Sequence, residues 1–140
     1  MRDCGECNAC CKLPGLPEMG KGTWEWCSHC RIGGTEGCGI YDSRPSACSS
    51  FNCAWRADDT LAEHMRPDKC RMMVTVEEVH GIQTIIFWPL IPGALAKKDN
   101  AELIKTMAEE KVAVVIREPA AGGGHADRAV FARRAGSLVR

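Results

Sequence analysis

The chain opens on Cys4-x2-Cys7-x2-Cys10-Cys11, and the series continues as Cys27-x2-Cys30, Cys38, Cys48 and Cys53 before a distant Cys70. Nine of the ten cysteines thus precede residue 54. Two-residue spacing lets a tight turn bring successive sulfurs to one side. A metal site needs that local convergence, and a packed core does not. Two kinds of centre fit. In an iron–sulfur reading, Cys4, Cys7 and Cys10 hold three irons of a cubane and a remote cysteine holds the fourth. The ferredoxin run would go on to x3-Cys-Pro, whereas Cys10 is followed here by Cys11-Lys12-Leu13-Pro14. In a zinc reading, Cys4-x2-Cys7 or Cys7-x2-Cys10 joins Cys27-x2-Cys30 in a tetrahedral site. Cys11, Cys38, Cys48 and Cys53 are then left for a second site or a bridged pair. Spacing leaves both open, because each metal favours soft sulfur.

Eight thiolates leave a net charge of about −4, whether on two zinc ions or on one cluster and one zinc. Lys12, Lys21, Arg31, Arg44 and Arg56 are spaced to offset it, although Lys21 reads better as an ordinary solvated side chain. His29 lies between two better ligands and is expected to point away. His64, His80 and His125 read as solvent-facing, and Cys70 as a buried thiol outside the metal set. No catalytic triad order stands out. Gly122-Gly123-Gly124 lacks the strand, helix and Lys-Ser/Thr of a phosphate loop. Glu77 and Glu78 are strand neighbours on opposite faces, which suits no catalytic carboxylate pair.

Lys plus Arg (18) balance Asp plus Glu (18), and residues 1–56 hold six of each. Nucleic acid is therefore a poor partner for the cysteine stretch. The one basic segment is the tail, with Arg128, Arg133, Arg134 and Arg140, and it reads as a solvated end. No apolar run reaches the roughly 20 residues that span a bilayer. The N-terminus has no apolar signal core, so the expected compartment is the cytoplasm. There, dense cysteines favour metal over a disulfide scaffold.

The elements that must position these residues divide the chain in three. Residues 1–56 are an irregular cysteine-rich module, rich in Gly, Pro and Ser. Their apolar content is read as Trp24, Trp26, Ile40, Tyr41, Phe51 and Trp55. That is too little for a core, so metal is expected to supply the folding free energy, and its removal to unfold the module while the strands persist. Residues 57–118 form a small α+β unit packed on the module. It comprises a short helix capped by Asp58-Asp59-Thr60 and running to about Met65, strands at 72–76 and 82–88 joined by a His80-Gly81 turn, a helix capped by Asp99 with Leu103, Ile104, Met107 and Ala108 on one face, and a central third strand at 112–116. Residues 119–140 read as a Gly-rich linker and a loosely ordered tail.

Cys4-Gly-Glu-Cys7-Asn-Ala-Cys10-Cys11, with Gly37-Cys38-Gly-Ile40-Tyr41-Asp-Ser-Arg44-Pro45-Ser-Ala-Cys48-Ser-Ser-Phe51, resembles the YkgJ-type cysteine-cluster family, described as a zinc- or iron-chelating domain. The resemblance spans residues 4 to about 55. It implies that Cys4, Cys7, Cys10, Cys11, Cys38 and Cys48 are ligands, with Cys27 or Cys30 in the middle position. The chain departs from the family's Cys-Pro-Phe middle motif with Trp26-Cys27-Ser28-His29-Cys30. It also has Ser49 where an Arg is usual, and adds Cys53. Ile40 and Tyr41 are expected to pack under the cluster, Arg44 to bond carbonyls or sulfur, and Pro45 to hold the turn that aims Cys48 back at Cys38. The expected function is a metal-binding protein carrying zinc or an iron–sulfur cluster, with a protein partner through the α+β unit. An iron–sulfur redox protein or enzyme is the alternative, and a zinc-ribbon-like nucleic-acid binder a weaker one.

Overall fold

A computed structural model of the chain describes residues 4, 7–30, 38, 40–110 and 112–130; the Tyr41 side chain lies outside that description. Strands β1 (Met72–Val79) and β2 (Ile82–Pro89) form the expected hairpin, in register from Met72 opposite Pro89 to Val79 opposite Ile82. Its turn places His80 at φ 51° and Gly81 at φ 79°. Two left-handed residues match the right-handed twist of the flanking strands. Helix α4 (Lys98–Glu109) then returns the chain for β3 (Ala113–Pro119) to pair parallel with β2. Strand β4 (His125–Val130) closes an antiparallel edge, so the mixed sheet runs β1-β2-β3-β4.

Side chains alternate across this sheet, and each face has its own cover. On one face Met72, Phe87, Val114 and Ile116 are buried with Cys70, against Leu103, Ile104 and Met107 of α4. The expected helical face is therefore the one that packs. On the other face Met73, Ile86 and Trp88 are buried with Leu13, and Trp24, Phe51 and Cys53 close over them. The cysteine-rich stretch is thus a layer on the sheet, opposite α4. Leu13 has no exposed surface, and burying such a leucine contributes about 1.5–3 kcal/mol.

Four expectations are corrected. The linker reading of 119–124 and the loose tail after it give way to a turn and a fourth strand, where Arg128 pairs with Glu118 at 3.1 Å. Arg133, Arg134 and Arg140 lie outside the described residues. The helix expected from Asp58 to Met65 is absent. The Asp58 carboxylate accepts from the Thr60 N–H at 2.9 Å, which makes a local turn, and only Glu63–Met65 winds into a 3-10 turn. Short helices stand on either side instead: α1 (Ser46–Ser49), α2 (Ala54–Ala57) and α3 (Pro67–Cys70). Asp99 does not cap α4, whose N-cap is Lys97; it pairs with His64 at 2.8 Å. Finally, the apolar inventory of residues 1–56 omitted Leu13 and Leu16, both buried, and Trp26 is exposed. This segment borrows the sheet's second face as its core, so metal is not the sole source of order open to it.

The module-facing side also carries a polar network. The Trp88 indole N–H donates to Thr75 Oγ1 at 2.8 Å. Arg117, almost fully buried, lies 4.8 Å over the Trp88 ring, reaches Asp127 at 2.8 and 3.0 Å, and reaches Glu77 at 3.2 Å. Glu77 and Glu78 do face opposite ways along β1. Among the described residues no helix is long and apolar enough to cross a membrane.

Candidate metal centre

The first cysteines sit on tight turns. The Cys7 N–H donates to the Cys4 carbonyl at 3.0 Å, and Ala9–Cys11 forms a 3-10 turn in which Cys11 N–H donates to Asn8 at 2.9 Å. Loop 13–24 leaves this turn and comes back. Leu16 and Lys21 exchange backbone hydrogen bonds at 2.8 and 3.1 Å, Gly20 turns the chain at φ 66°, and Trp24 N–H reaches the Leu13 carbonyl at 3.1 Å. The Cys27 N–H then donates to the Cys11 carbonyl at 2.9 Å, so the loop's two ends hold the first and second cysteine pairs together. Cys30 pairs as an isolated bridge with Cys38. Pro45 caps α1, where Cys48 N–H donates back to the Pro45 carbonyl at 2.9 Å, and Cys53 caps α2.

These turns bring the Cys10, Cys11 and Cys30 thiols beside one another with Cys11 in the middle, and the Asn8 side-chain amide donates to the Cys30 sulfur at 3.6 Å. The neighbouring Cys11 thiol holds the Cys10 thiol below its ordinary range, helped by the positive charges of Arg56 and Arg44. The neighbouring Cys10 thiol and burial push Cys11 well up. Burial raises Cys30 and Cys48, and Cys48 also feels the charges of Cys10, Cys27 and Cys38. By these charges eight of the nine predicted ligands share one electrostatic neighbourhood: Cys7, Cys10, Cys11, Cys27, Cys30, Cys38, Cys48 and Cys53.

Cys7, Cys53 and Cys4 differ from the rest in their packing. Cys7 is pushed up to about 12 by burial, against the pull of backbone hydrogen bonds at Ala9 and Asp68, so it faces α3. Burial against the sheet raises Cys53, which packs beside Leu13 and Phe51. Cys4 is half-buried. Among the described residues no three Cys, His, Asp or Glu side chains gather closely enough to hold one ion. The sulfurs lie beside one another and do not ring a single point. Their chemistry fits a soft metal, since they are thiols from four separate turns with positive side chains at hand.

The basic residues sort unevenly. Arg44 and Arg56 act on Cys10 as expected, while Lys12 lies 5.5 Å from the Trp26 ring centroid and Arg31 is outside the described residues. Lys21 overturns its reading as a solvated side chain. It is 9% exposed, and its ammonium donates to the carbonyls of Lys12 at 2.8 Å, Gly22 at 3.1 Å and Pro14. Burial lowers its pKa while the negative charges of Cys27, Cys11, Glu25 and Cys10 raise it. Sequence reasoning placed it among the bases beside the thiols but missed its burial, because Gly20-Lys21-Gly22 looks like an exposed turn. Asn8 was missed too, though it lies between two cysteines of the motif. His29 is half-buried and Ile40 likewise. Cys70 is buried as expected, its thiol donating to the Met65 and Met72 carbonyls at 3.3 and 3.2 Å.

Comparison with known protein families, curated proteins and solved structures finds no match.

Proposed function

We propose that the chain is a metal-binding protein that holds zinc or an iron–sulfur cluster through thiolates of residues 4–53. The observation that carries this reading is the Cys27–Cys11 backbone bond, which ties the two Cys-x2-Cys turns together beside the Cys30–Cys38 bridge. A hydrophobic core has no use for neighbouring thiols with Arg44 and Arg56 beside them. Soft-metal coordination does, since each thiol must ionise to bind. Cys10, Cys11, Cys27, Cys30, Cys38 and Cys48 would supply the ligands, joined by Cys4 and Cys7 through the first turn. Bound metal would fix the relative positions of four turns, and a cluster would add one-electron redox chemistry. The motif resemblance to the YkgJ-type cysteine-cluster family supports the same reading.

The test is metal content per chain after purification without oxygen. Stoichiometric zinc in a colourless protein identifies the zinc form. Iron with sulfide and a broad absorbance at about 400 nm identifies the cluster. Neither metal at stoichiometric level, in a chain that folds, ends the proposal.

A further inference from the structure

Cys30 and Cys38 stand directly opposite each other in an isolated antiparallel bridge. The Cys30 N–H is taken by the Cys27 carbonyl at 3.0 Å, so the two residues do not exchange N–H and carbonyl bonds with each other. They are therefore a non-hydrogen-bonded pair, the kind whose Cα atoms lie about 4.5 Å apart and whose side chains come closest. Such partners project to the same side of the ladder. A disulfide needs Cα atoms about 4.4–6.8 Å apart and Cβ vectors that do not diverge. The backbone bridge meets both conditions before either side chain turns. Both residues are half-buried free thiols, so a small reagent can reach them. The Asn8 amide donates to the Cys30 sulfur at 3.6 Å, as it would to a thiolate there.

We propose that Cys30 and Cys38 are an oxidisable pair that closes to a reversible disulfide across this bridge. The co-reactant is a small-molecule disulfide such as oxidised glutathione. One cysteine thiolate attacks a sulfur of that disulfide and expels one thiolate, leaving a mixed disulfide on the protein. The second cysteine thiolate attacks the protein-side sulfur and expels the other. Two protein thiols are oxidised, one small disulfide is reduced to two thiols, and the two cysteine protons pass to the two thiolates released. Excess reduced thiol runs the same steps backwards. The inference does not rest on the metal-binding reading. Where metal is held through these sulfurs, the loaded and the oxidised states exclude each other, because a disulfide offers no thiolate.

The test treats the full chain with oxidised glutathione, without oxygen and with a chelator present. Remaining thiols are blocked by alkylation at intervals, and the first bond formed is located by tandem mass spectrometry of a tryptic digest. Cleavage after Arg31 puts Cys30 and Cys38 on separate peptides. The expected result is Cys30 joined to Cys38 in most of the chain that has lost two thiols. A first bond from Cys30 to Cys27 or Cys11, a different first pair, or mixed disulfides alone overturns the proposal. So does the same preference in denaturing urea, which would trace the bond to nearness in sequence and not to the bridge. Cys38→Ser should slow intramolecular closure at Cys30 by at least about tenfold, and an unchanged rate overturns the pairing as well. The bond and the metal content are separate readouts, so this proposal and the metal reading fail independently.

Discussion

Cys70 shows at residue scale what a cysteine outside the metal set looks like. Its sulfur points at two backbone carbonyls inside the core under α4. Cys70→Ser should cost about 1 kcal/mol of stability and leave metal per chain unchanged, whereas Cys10→Ser and Cys38→Ser should lower it. Equal metal loss in Cys70→Ser and Cys38→Ser would remove the distinction. Asp127 offers a pH test. The Arg117 hydrogen bond holds its carboxyl below the ordinary range, in a group that also includes Glu77 and His125. A carboxyl depressed in the folded chain adds stability above its unfolded pKa of about 3.9, and that gain is lost as pH falls through the folded value. The urea midpoint of Asp127→Asn should therefore fall less than that of wild type between about pH 5 and 2; parallel acid limbs would rule this out. At this scale paired Cys-x2-Cys spacing made legible two turns that the backbone ties together at Cys11 and Cys27, while no three of the described side chains gather around one point. The burial of Lys21 was not legible, because nothing in a Gly-Lys-Gly run tells that three carbonyls will turn inward.

The elements were legible where burial writes a period. The β1–β2 hairpin and the apolar face of α4 follow from alternation and helical spacing. Strand β4 was not legible, because all its residues but Val130 are exposed and no apolar pattern marks them. Backbone pairing to β3 holds it, with the Arg117–Asp127 and Arg128–Glu118 pairs across the ladder. The hairpin turn gives a prediction of its own. His80 sits at φ 51°, where a side chain is strained and Asn or Gly is not. His80→Asn should stabilise by about 0.5 kcal/mol. Gly81→Ala should destabilise by about 1 kcal/mol, through the backbone alone, since an added Cβ meets nothing within 4 Å. Both are read from chemical denaturation midpoints, and a stabilising Gly81→Ala would refute the turn assignment.

At the scale of the whole molecule, the cysteine-rich layer and the sheet share one core. Trp24 packs on Trp88 with ring centroids 5.4 Å apart, and its indole N–H donates to the Pro89 carbonyl at 3.2 Å. Trp24→Ala should cost about 3 kcal/mol and destabilise both layers together. Near-UV and far-UV circular dichroism should therefore melt at one shared temperature, lower than that of wild type; two separate transitions would show that the layers are independent. The sharing also revises the expectation that the strands outlast the cysteine module. Uncovering Met73, Ile86 and Trp88 strips the sheet of one face, so metal removal should lower the melting temperature of the strands as well. The same contact sets an order in time. Trp24 lies 65 residues ahead of the Pro89 carbonyl it bonds. A ribosome adding about 5–20 residues per second takes several seconds to make that partner. Throughout that interval the nascent thiols have no sheet to rest on, and any ion they capture is met by an open chain.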